Sequence, residues 1–240
     1  VTCILPDARS VVVEKSRPRK PFPGALLEDT RELAAHYELM LLGSDRIADR
    51  PARLIGVKPK DSYRYGYRLW LDEQTAMPLK IDLMSEAGEA LEQVMFTRLE
   101  LPEEIPVAAL EPAISGEGFT WYRGREMEEG PGTGTRRPSR WTVTRLPPGF
   151  KLIEQGGYRL PGSRSPVEHM VFSDMLASVS VYIESQADEE RFEGHSRMGA
   201  VNAFGTTVDG HPVTVVGEVP EATVTLIGRS VVHRAQGAGR

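Results

Sequence analysis

Hydrophobic and polar residues alternate with period two between residues 63 and 71, which predicts a β-strand with two unlike faces. One face carries three tyrosines and two leucines, and the other carries two arginines, a glycine and a tryptophan. The run at residues 78–84 returns with three more aliphatic side chains on one face. The surface that either packs in the core or lines a cavity for an apolar ligand comprises Tyr63, Tyr65, Tyr67, Leu69, Leu79, Ile81 and Leu83.

Similar runs lie on both sides of this strand and are separated by short polar turns. The strand-like segments cover residues 37–43, 53–59, 63–71, 78–84 and 90–101. In the last segment, Glu92 and Val94 fall on one face, and Leu91 and Gln93 fall on the other. Four or five consecutive antiparallel strands, with one helix predicted at residues 26–36, favour a curved, partly open barrel in an α+β fold that is mostly antiparallel β.

The second half of the chain predicts a separate, smaller β-rich domain. Strands are predicted at residues 167–172 and 177–184, and a hairpin is predicted at 202–208 and 212–219 around Asp209-Gly210. Residues 224–233 predict a final helix or strand. Proline and glycine are concentrated between the two halves. We therefore expect a half-barrel domain at 1–115, a flexible linker at 116–139 and a C-terminal α+β domain at 140–235.

Composition narrows the class of protein. The 240 residues are 40% hydrophobic and 26% charged, as expected for a globular protein, and the net charge of -5 gives no electrostatic argument for nucleic acid. No apolar run approaches the roughly 18 residues of a membrane span. Cys3 is the one cysteine, so no disulfide can form within the chain. The chain opens directly in an apolar, strand-like run, and we expect an N-terminal piece, with any signal peptide, to precede it.

No motif in the sequence indicates catalysis, a cofactor or a metal. The five histidines show no spacing suited to zinc, and no glycine-rich phosphate loop or nucleophile elbow is present. The nearest approach to a nucleophilic site is Ser173-Asp174 close to His169, and it lacks an identifiable oxyanion loop. A hydrolase that uses Ser173 and His169 is kept as an alternative, and the prediction is a protein without catalytic activity.

Several basic and aromatic residues are candidates for binding a partner or an anion. Arg17, Arg19 and Lys20 lie in a proline-stiffened basic loop, which suits an acidic partner or a lipid head group unless the loop is ordinary exposed surface. Arg64 and Arg68 share one strand face, where they either clamp an anion or form the solvated side of the sheet. Together with the domain division, these candidates predict a binding protein of two domains.

Longer motifs resemble a known family. In the first half they are DRIADRPA at 45–52, PKDSYRYGY at 59–67, LWLD at 69–72, PLK at 78–80 and LEQVMFT at 91–97. In the second half they are RWTVTRLPPGF at 140–150, PVEHMVFSDMLASVSVYIE at 166–184 and VTVVGEVP at 213–220. The chain resembles the RseB/MucB family, periplasmic regulators of the sigma-E envelope stress response, over nearly its whole length outside the linker.

The resemblance implies a fold and a function. The first domain is expected to be an unclosed barrel like that of the lipoprotein carriers LolA and LolB, with an apolar cavity. The protein is expected to bind the periplasmic part of an RseA- or MucA-type anti-sigma factor and to shield it from the site-1 protease DegS. Lipopolysaccharide or another acylated lipid is expected to release it. The second domain is expected to contribute much of the anti-sigma contact, with His169 and Phe172 as candidate contacts.

Two further expectations follow from the resemblance. The family usually has glycine where Met175 stands in this chain, so the turn there is expected to differ. The protein is expected in the periplasm of a Gram-negative bacterium, and a homodimer is left open. The alternative from another class is a periplasmic carrier of lipid or lipoprotein, which would bind acyl chains and have no affinity for an anti-sigma peptide.

Overall fold

Sixteen strands and two short helices form the part of the chain that the computed structural model describes, which is residues 2–13, 30–112, 114–123, 139–159, 166–184 and 192–234. The helices are α1 (Thr30–His36) and α2 (Glu221–Gly228), and Val107–Leu110 forms a 3-10 turn. In chain order the strands are β1 (Thr2–Leu5), β2 (Ser10–Val13), β3 (Tyr37–Ile47), β4 (Arg50–Pro59), β5 (Gly66–Asp72), β6 (Pro78–Met84), β7 (Ala90–Met95), β8 (Thr120–Arg123), β9 (Trp141–Val143), β10 (Lys151–Arg159), β11 (Pro166–Ser173), β12 (Ser178–Glu184), β13 (Gly194–Met198), β14 (Val201–Val208), β15 (His211–Gly217) and β16 (Val231–His233). The predicted fold class, mostly antiparallel β with few helices, is confirmed.

The chain divides into two compact units that do not follow its linear order. The first unit combines Val1–Pro21 with Leu99–Arg137, and the second combines Phe22–Arg98 with Pro138–Arg240. The first unit contains a three-stranded sheet in the order β1-β2-β8, in which β1 and β2 are antiparallel and β2 and β8 are parallel. Val11 is its buried centre, and Gly116 lies so close that an added Cβ would be 2.8 Å from the Val11 side chain.

The second unit contains the predicted meander as a five-stranded antiparallel sheet in the order β3-β4-β5-β6-β7. Register shifts interrupt the β3–β4, β5–β6 and β6–β7 pairings. Such irregularities bend a strand and increase its twist, which curves the sheet. Within the described residues β3 and β7 each pair on one side only, so the sheet is open and its strands do not close into a barrel.

The strand predicted to begin at Tyr63 begins later, at Gly66. Residues 61–64 form a bend, because the carboxylate of Asp61 accepts hydrogen bonds from the backbone N–H of Tyr63 and from Nε of Arg64, both at 3.0 Å. A local side-chain acceptor of this kind competes with the sheet ladder for the backbone. Tyr63 and Arg64 therefore do not share the faces of the strand that follows them.

A six-stranded antiparallel sheet in the order β10-β11-β12-β15-β14-β13 belongs to the same unit. Its core face packs beneath α2 and the short β9–β16 pair. The buried side chains of this core include Trp141, Phe150, Met170, Phe172, Val179, Val181, Ile183, Phe204, Val213, Val215, Val224 and Ile227. The predicted hairpin around Asp209-Gly210 is confirmed: both residues have positive φ, 48° and 79°, as a tight turn of the type I′ class requires.

Some predictions fall on residues outside the described part of the chain. These are the start of the predicted helix at residues 26–29, the linker at 124–138, and the basic loop with Arg17, Arg19 and Lys20. The helix is observed over its remaining length as α1. The segment 224–233, predicted as a helix or a strand, contains the end of α2 followed by β16.

Candidate functional site

A pocket of about 230 Å³ lies on one face of the five-stranded sheet. We call it the sheet pocket; it is lined by Tyr67, Ile81, Leu83, Glu92, Val94, Leu176 and Glu218. The register of the sheet explains why five of these residues lie side by side. Tyr67, Leu83 and Glu92 are cross-strand neighbours in one row, and Ile81 and Val94 are neighbours in the next. Leu176 follows β11 and Glu218 follows β15, so two turns from the second half of the chain complete the wall.

Three of the seven residues predicted to line an apolar cavity do line the sheet pocket: Tyr67, Ile81 and Leu83. Leu69 and Leu79 are buried elsewhere, with Leu69 in a cluster that contains Leu33, Tyr37 and Val57. Tyr63 lies in the bend before β5. Both alternatives given for this set are therefore found within it: Leu69 and Leu79 pack as buried core, whereas Tyr67, Ile81 and Leu83 line the pocket.

Tyr65 is tied into the core by its hydroxyl group. The side-chain amide of Asn202 donates one hydrogen bond to the Tyr65 hydroxyl oxygen at 3.0 Å and another to the Val219 carbonyl at 2.8 Å. Tyr65 and Asn202 are both buried, and burial is the main reason that the pKa of Tyr65 is raised. Tyr65 thus links the first half of the chain to the second rather than presenting its ring to a ligand.

Two carboxylates stand at an otherwise apolar pocket. Within the described residues, no hydrogen bond or ion pair joins Glu92 or Glu218 to a cation. Partial burial, followed by the neighbouring charge of Glu92, raises the pKa of Glu218. The pKa of Tyr67 is also raised, first by burial and then by the negative charges of Asp174, Glu218 and Glu92. The electrostatic environment of the sheet pocket is therefore negative.

Arg64 is fully buried and already bound by protein groups, so the expectation that it clamps an anion or lies on a solvated face is wrong. Its guanidinium donates to Asp174 at 2.7 Å, to Asp61 at 3.0 Å and to the carbonyl of Pro148. It also lies between two aromatic rings, 5.4 Å from the centroid of Tyr37 and 5.3 Å from that of Phe150.

Arg68 is exposed on β5, opposite Gly56 on one side and Asp82 on the other. It shares neither a strand nor a face with the buried Arg64, so the structure does not bring the two predicted anion ligands together. The neighbouring surface includes the ion pair between Lys80 and Asp82 at 3.5 Å.

The two candidate contacts on β11 point to opposite faces of the six-stranded sheet. Phe172 is buried in the core beneath α2, so a direct contact between it and a partner is not supported. His169 lies on the other face, stacked on Tyr182 with ring centroids 4.6 Å apart and within 3.1 Å of the Ser180 hydroxyl. His169 remains available as a contact from that face.

Ser173 and Asp174 have structural roles in a turn. The hydroxyl of Ser173 donates to the Ala177 carbonyl at 2.8 Å. The carboxylate of Asp174 accepts from Arg64, from the hydroxyl of Tyr37 at 2.9 Å and from the backbone N–H groups of the turn. These hydrogen bonds are those of a structural turn, and they add no support to the hydrolase alternative.

The sheet carries apolar side chains on both edge strands. On β7 and just after it, Val94, Met95 and Phe96 are 69%, 48% and 41% exposed. On β3, three leucines are exposed, namely Leu39, Leu41 and Leu42. Val94 and Met95 lie on opposite faces of β7, beside Ile81 and Lys80 respectively. Several exposed apolar side chains on an edge strand mark an interaction site more often than isolated exposed residues do.

Sequence reasoning missed four of the seven residues that line the sheet pocket. The shared face of Glu92 and Val94 was visible in the alternation of the last predicted strand, and it would have extended the apolar surface by one strand. No local pattern indicated Leu176 or Glu218, since turns distant in sequence bring them to the sheet. In the described ranges, no group of three or more potential metal ligands is found and no helix is long and apolar enough to cross a membrane.

Comparisons with known proteins bear on both halves of the chain. Sequence models of the MucB/RseB N-terminal domain and C-terminal domain match residues 1–114 and 135–232. The sigma factor AlgU regulatory protein MucB of Pseudomonas aeruginosa is 35% identical over 85% of this chain. The sigma-E factor regulatory protein RseB of Escherichia coli K12 is 28% identical over 87%. The chain spans 63% of the length of each of these relatives.

Solved structures show the same likeness. A crystal structure of MucB in complex with MucA(peri) matches with a TM-score of 0.71 and 32% identity, over 87% of this chain and 72% of that one. A complex structure of Pseudomonas aeruginosa MucA/MucB matches with a TM-score of 0.70 and 31% identity, over 86% of this chain and 68% of that one.

Proposed function

The chain belongs to the MucB/RseB family, and we propose that it is a regulator that binds the periplasmic segment of an anti-sigma factor of the MucA or RseA type. The observation that carries this proposal is the match to MucB solved in complex with MucA(peri), with a TM-score of 0.71. The match extends over 87% of this chain and so includes both of its family domains.

Binding would restrain envelope stress signalling by shielding the anti-sigma factor from site-1 proteolysis. This is a function of binding rather than of catalysis, and the relatives are named as regulatory proteins. The Arg64–Asp174 pair supports the proposal indirectly, because it holds residues from both family domains in one defined arrangement. Because the proposed partner is a periplasmic segment, we place the protein in the periplasm as part of this proposal.

Release by lipopolysaccharide or another acylated lipid is the second element of the proposal. Its support is the exposed apolar surface of the edge strands, together with the sheet pocket. The pocket of about 230 Å³ is smaller than most sites for drug-sized ligands, so the edge strands would have to supply the rest of an acyl-binding surface.

The experiment that tests the function is calorimetric titration of the 240-residue chain with the periplasmic segment of its cognate anti-sigma factor. We expect saturable binding that lipopolysaccharide weakens, and reciprocal weakening of lipid binding by the segment. Binding of lipid without any binding of the segment would overturn the proposal in favour of a lipid carrier. Addition of purified site-1 protease to the same mixtures should show slower cleavage of the bound segment.

The division into domains at 1–115 and 140–235, with a linker between them, is retained as a proposal. Limited proteolysis tests it, since cleavage should concentrate within residues 116–139. Sedimentation equilibrium of the same sample tests whether the protein forms a homodimer. A mass of 26.6 kDa, that of one chain, would indicate a monomer, and twice that mass would indicate a dimer.

A further inference from the structure

The sheet pocket combines apolar walls with two acidic groups. Tyr67, Ile81, Leu83, Val94 and Leu176 supply the apolar surface, while the carboxylates of Glu92 and Glu218 stand at the same opening. A purely apolar ligand would leave both carboxylates without a partner, and an anionic ligand would be repelled by them. The wall chemistry therefore favours a ligand that carries an apolar stem and a positive charge.

Lysine and arginine side chains have this chemistry. Their alkyl stems pack on apolar surface while the charged end stays near water, and here the charged end would meet Glu92 and Glu218. Partial burial, and after it the charge of Glu92, raises the pKa of Glu218, and a cation between the two carboxylates would stabilise their charged forms against both effects.

The surroundings of the sheet pocket favour a polypeptide over a free amine. Val94 lines the pocket and belongs to β7, which is one of the two edge strands of the five-stranded sheet as described. Met95, the next residue, is exposed on the opposite face of β7, where it neighbours Lys80, and the exposed Phe96 follows directly after it. An edge strand with adjoining apolar side chains can accept an extended segment by backbone pairing, with neighbouring pockets selecting alternate side chains.

We propose that the sheet pocket receives a lysine or arginine side chain of an extended partner segment that runs along β7. Apolar residues of that segment then pack on Val94 on the pocket face, on Met95 on the opposite face and on Phe96 just after the strand. The partner is the anti-sigma segment of the proposed function, and the inference rests on that function in this respect alone. Glu92 and Glu218 then determine specificity for a basic residue, and the sheet pocket is a site of recognition distinct in chemistry from an acyl-binding surface.

The pocket chemistry is tested with three probes that share one apolar body and differ in charge: hexylammonium, hexanol and hexanoate. Chemical shifts of the Ile81, Leu83 and Val94 methyl groups report binding to the 240-residue chain. Because exposed ion pairs contribute modestly, we expect hexylammonium to bind roughly fivefold more tightly than hexanol, and hexanoate to bind most weakly. Equal binding of the three probes, preference for hexanoate, or no shift at these methyl groups would overturn the proposal.

The double variant Glu92→Gln/Glu218→Gln should remove the preference for the cation while it leaves hexanol binding unchanged. The matched control is Glu86→Gln/Glu89→Gln, which removes the same charge from exposed positions in the β6–β7 turn outside the sheet pocket. The control should retain the preference of the wild type. If both double variants lose the preference for hexylammonium, the preference arises from net charge rather than from the sheet pocket, and the proposal is overturned.

Titration of the wild type and the variant with the anti-sigma segment distinguishes a failure of this inference from a failure of the proposed function. If the segment binds the wild type, the Glu92→Gln/Glu218→Gln variant should bind it roughly fivefold or more weakly, and replacing one basic residue of the segment by methionine should reproduce that loss. Unchanged affinity in the variant would overturn the partner subsite and leave the function standing. Failure of the segment to bind any form would refute the function, and the three probes would still decide the pocket chemistry.

Discussion

The guanidinium of Arg64 donates to the carboxylate of Asp174 across 2.7 Å, and the side chains of both residues have no exposed surface. They are separated by 110 positions in the sequence and fall in different family domains. Asp61, the Pro148 carbonyl and the Tyr37 hydroxyl complete the hydrogen bonding around the pair. A buried charge pair needs such a complete set of partners, because desolvation of two ions is costly.

Removing one partner of this pair should destabilise the fold strongly. We expect Arg64→Met to reduce the free energy of unfolding by about 3–5 kcal/mol, because Asp174 would remain buried without its counter-ion. Urea denaturation followed by circular dichroism measures the change. Arg68→Met, at the exposed position of β5, is the control and should alter stability by no more than about 0.5 kcal/mol. Equal effects of the two substitutions would contradict the burial of the Arg64–Asp174 pair.

The hydrogen bond between Asn202 and Tyr65 predicts a smaller effect. Tyr65→Phe removes the acceptor at 3.0 Å and leaves one amide hydrogen of Asn202 without its protein partner. We expect a loss of about 1–2 kcal/mol in the free energy of unfolding. A double-mutant cycle with Asn202→Ala measures the interaction itself. A coupling energy near zero would contradict the contact. Tyr122→Phe, an exposed tyrosine on β8, should leave stability nearly unchanged.

Local sequence patterns predicted the elements that depend on local rules. The meander between residues 37 and 101 follows from alternation, and the β14–β15 hairpin follows from Asp209-Gly210, since each property lies within a few residues of the element concerned. The start of β5 was predicted too early because the side chain of Asp61 competes for the backbone of Tyr63, an interaction that alternation does not encode.

The site was predicted only in part, for a different physical reason. Tyr67, Ile81 and Leu83 were identified because period two places them on one face of adjacent strands. The position of Arg64 depends on Asp174, and the sheet pocket depends on Leu176 and Glu218, all of which come from turns far along the chain. Hydrophobic periodicity indicates which face is apolar, but it does not indicate which distant turn covers that face.

The turn after β11 holds Met175 with φ at +90°, a region that side chains rarely adopt and glycine adopts readily. Hydrogen bonds from the Met175 and Ala177 backbone N–H groups to Ser173 and Asp174 side chains fix this conformation. We expect Met175→Gly to raise the free energy of unfolding by about 1 kcal/mol, since relief of strain exceeds the added entropy of the unfolded chain. Met198→Gly, on exposed β13, should instead lower it. A loss of stability in Met175→Gly would contradict the strained turn.

The carboxylate of Asp72 predicts a dependence of stability on pH. Its hydrogen bond from Arg50 at 2.6 Å, together with donors from the backbone and hydroxyl of Thr75, holds its pKa well below the usual range. Because the folded-state pKa is depressed, the stabilisation is present above the unfolded-state pKa of about 4 and is lost as pH falls below it. Asp72→Asn should therefore be less stable than the wild type near neutral pH and lose less stability on acidification. Denaturation at a series of pH values measures both effects. Asp49→Asn, at a fully exposed carboxylate, should follow the wild-type profile, and a wild-type profile in Asp72→Asn would refute the role of the Arg50–Asp72 pair.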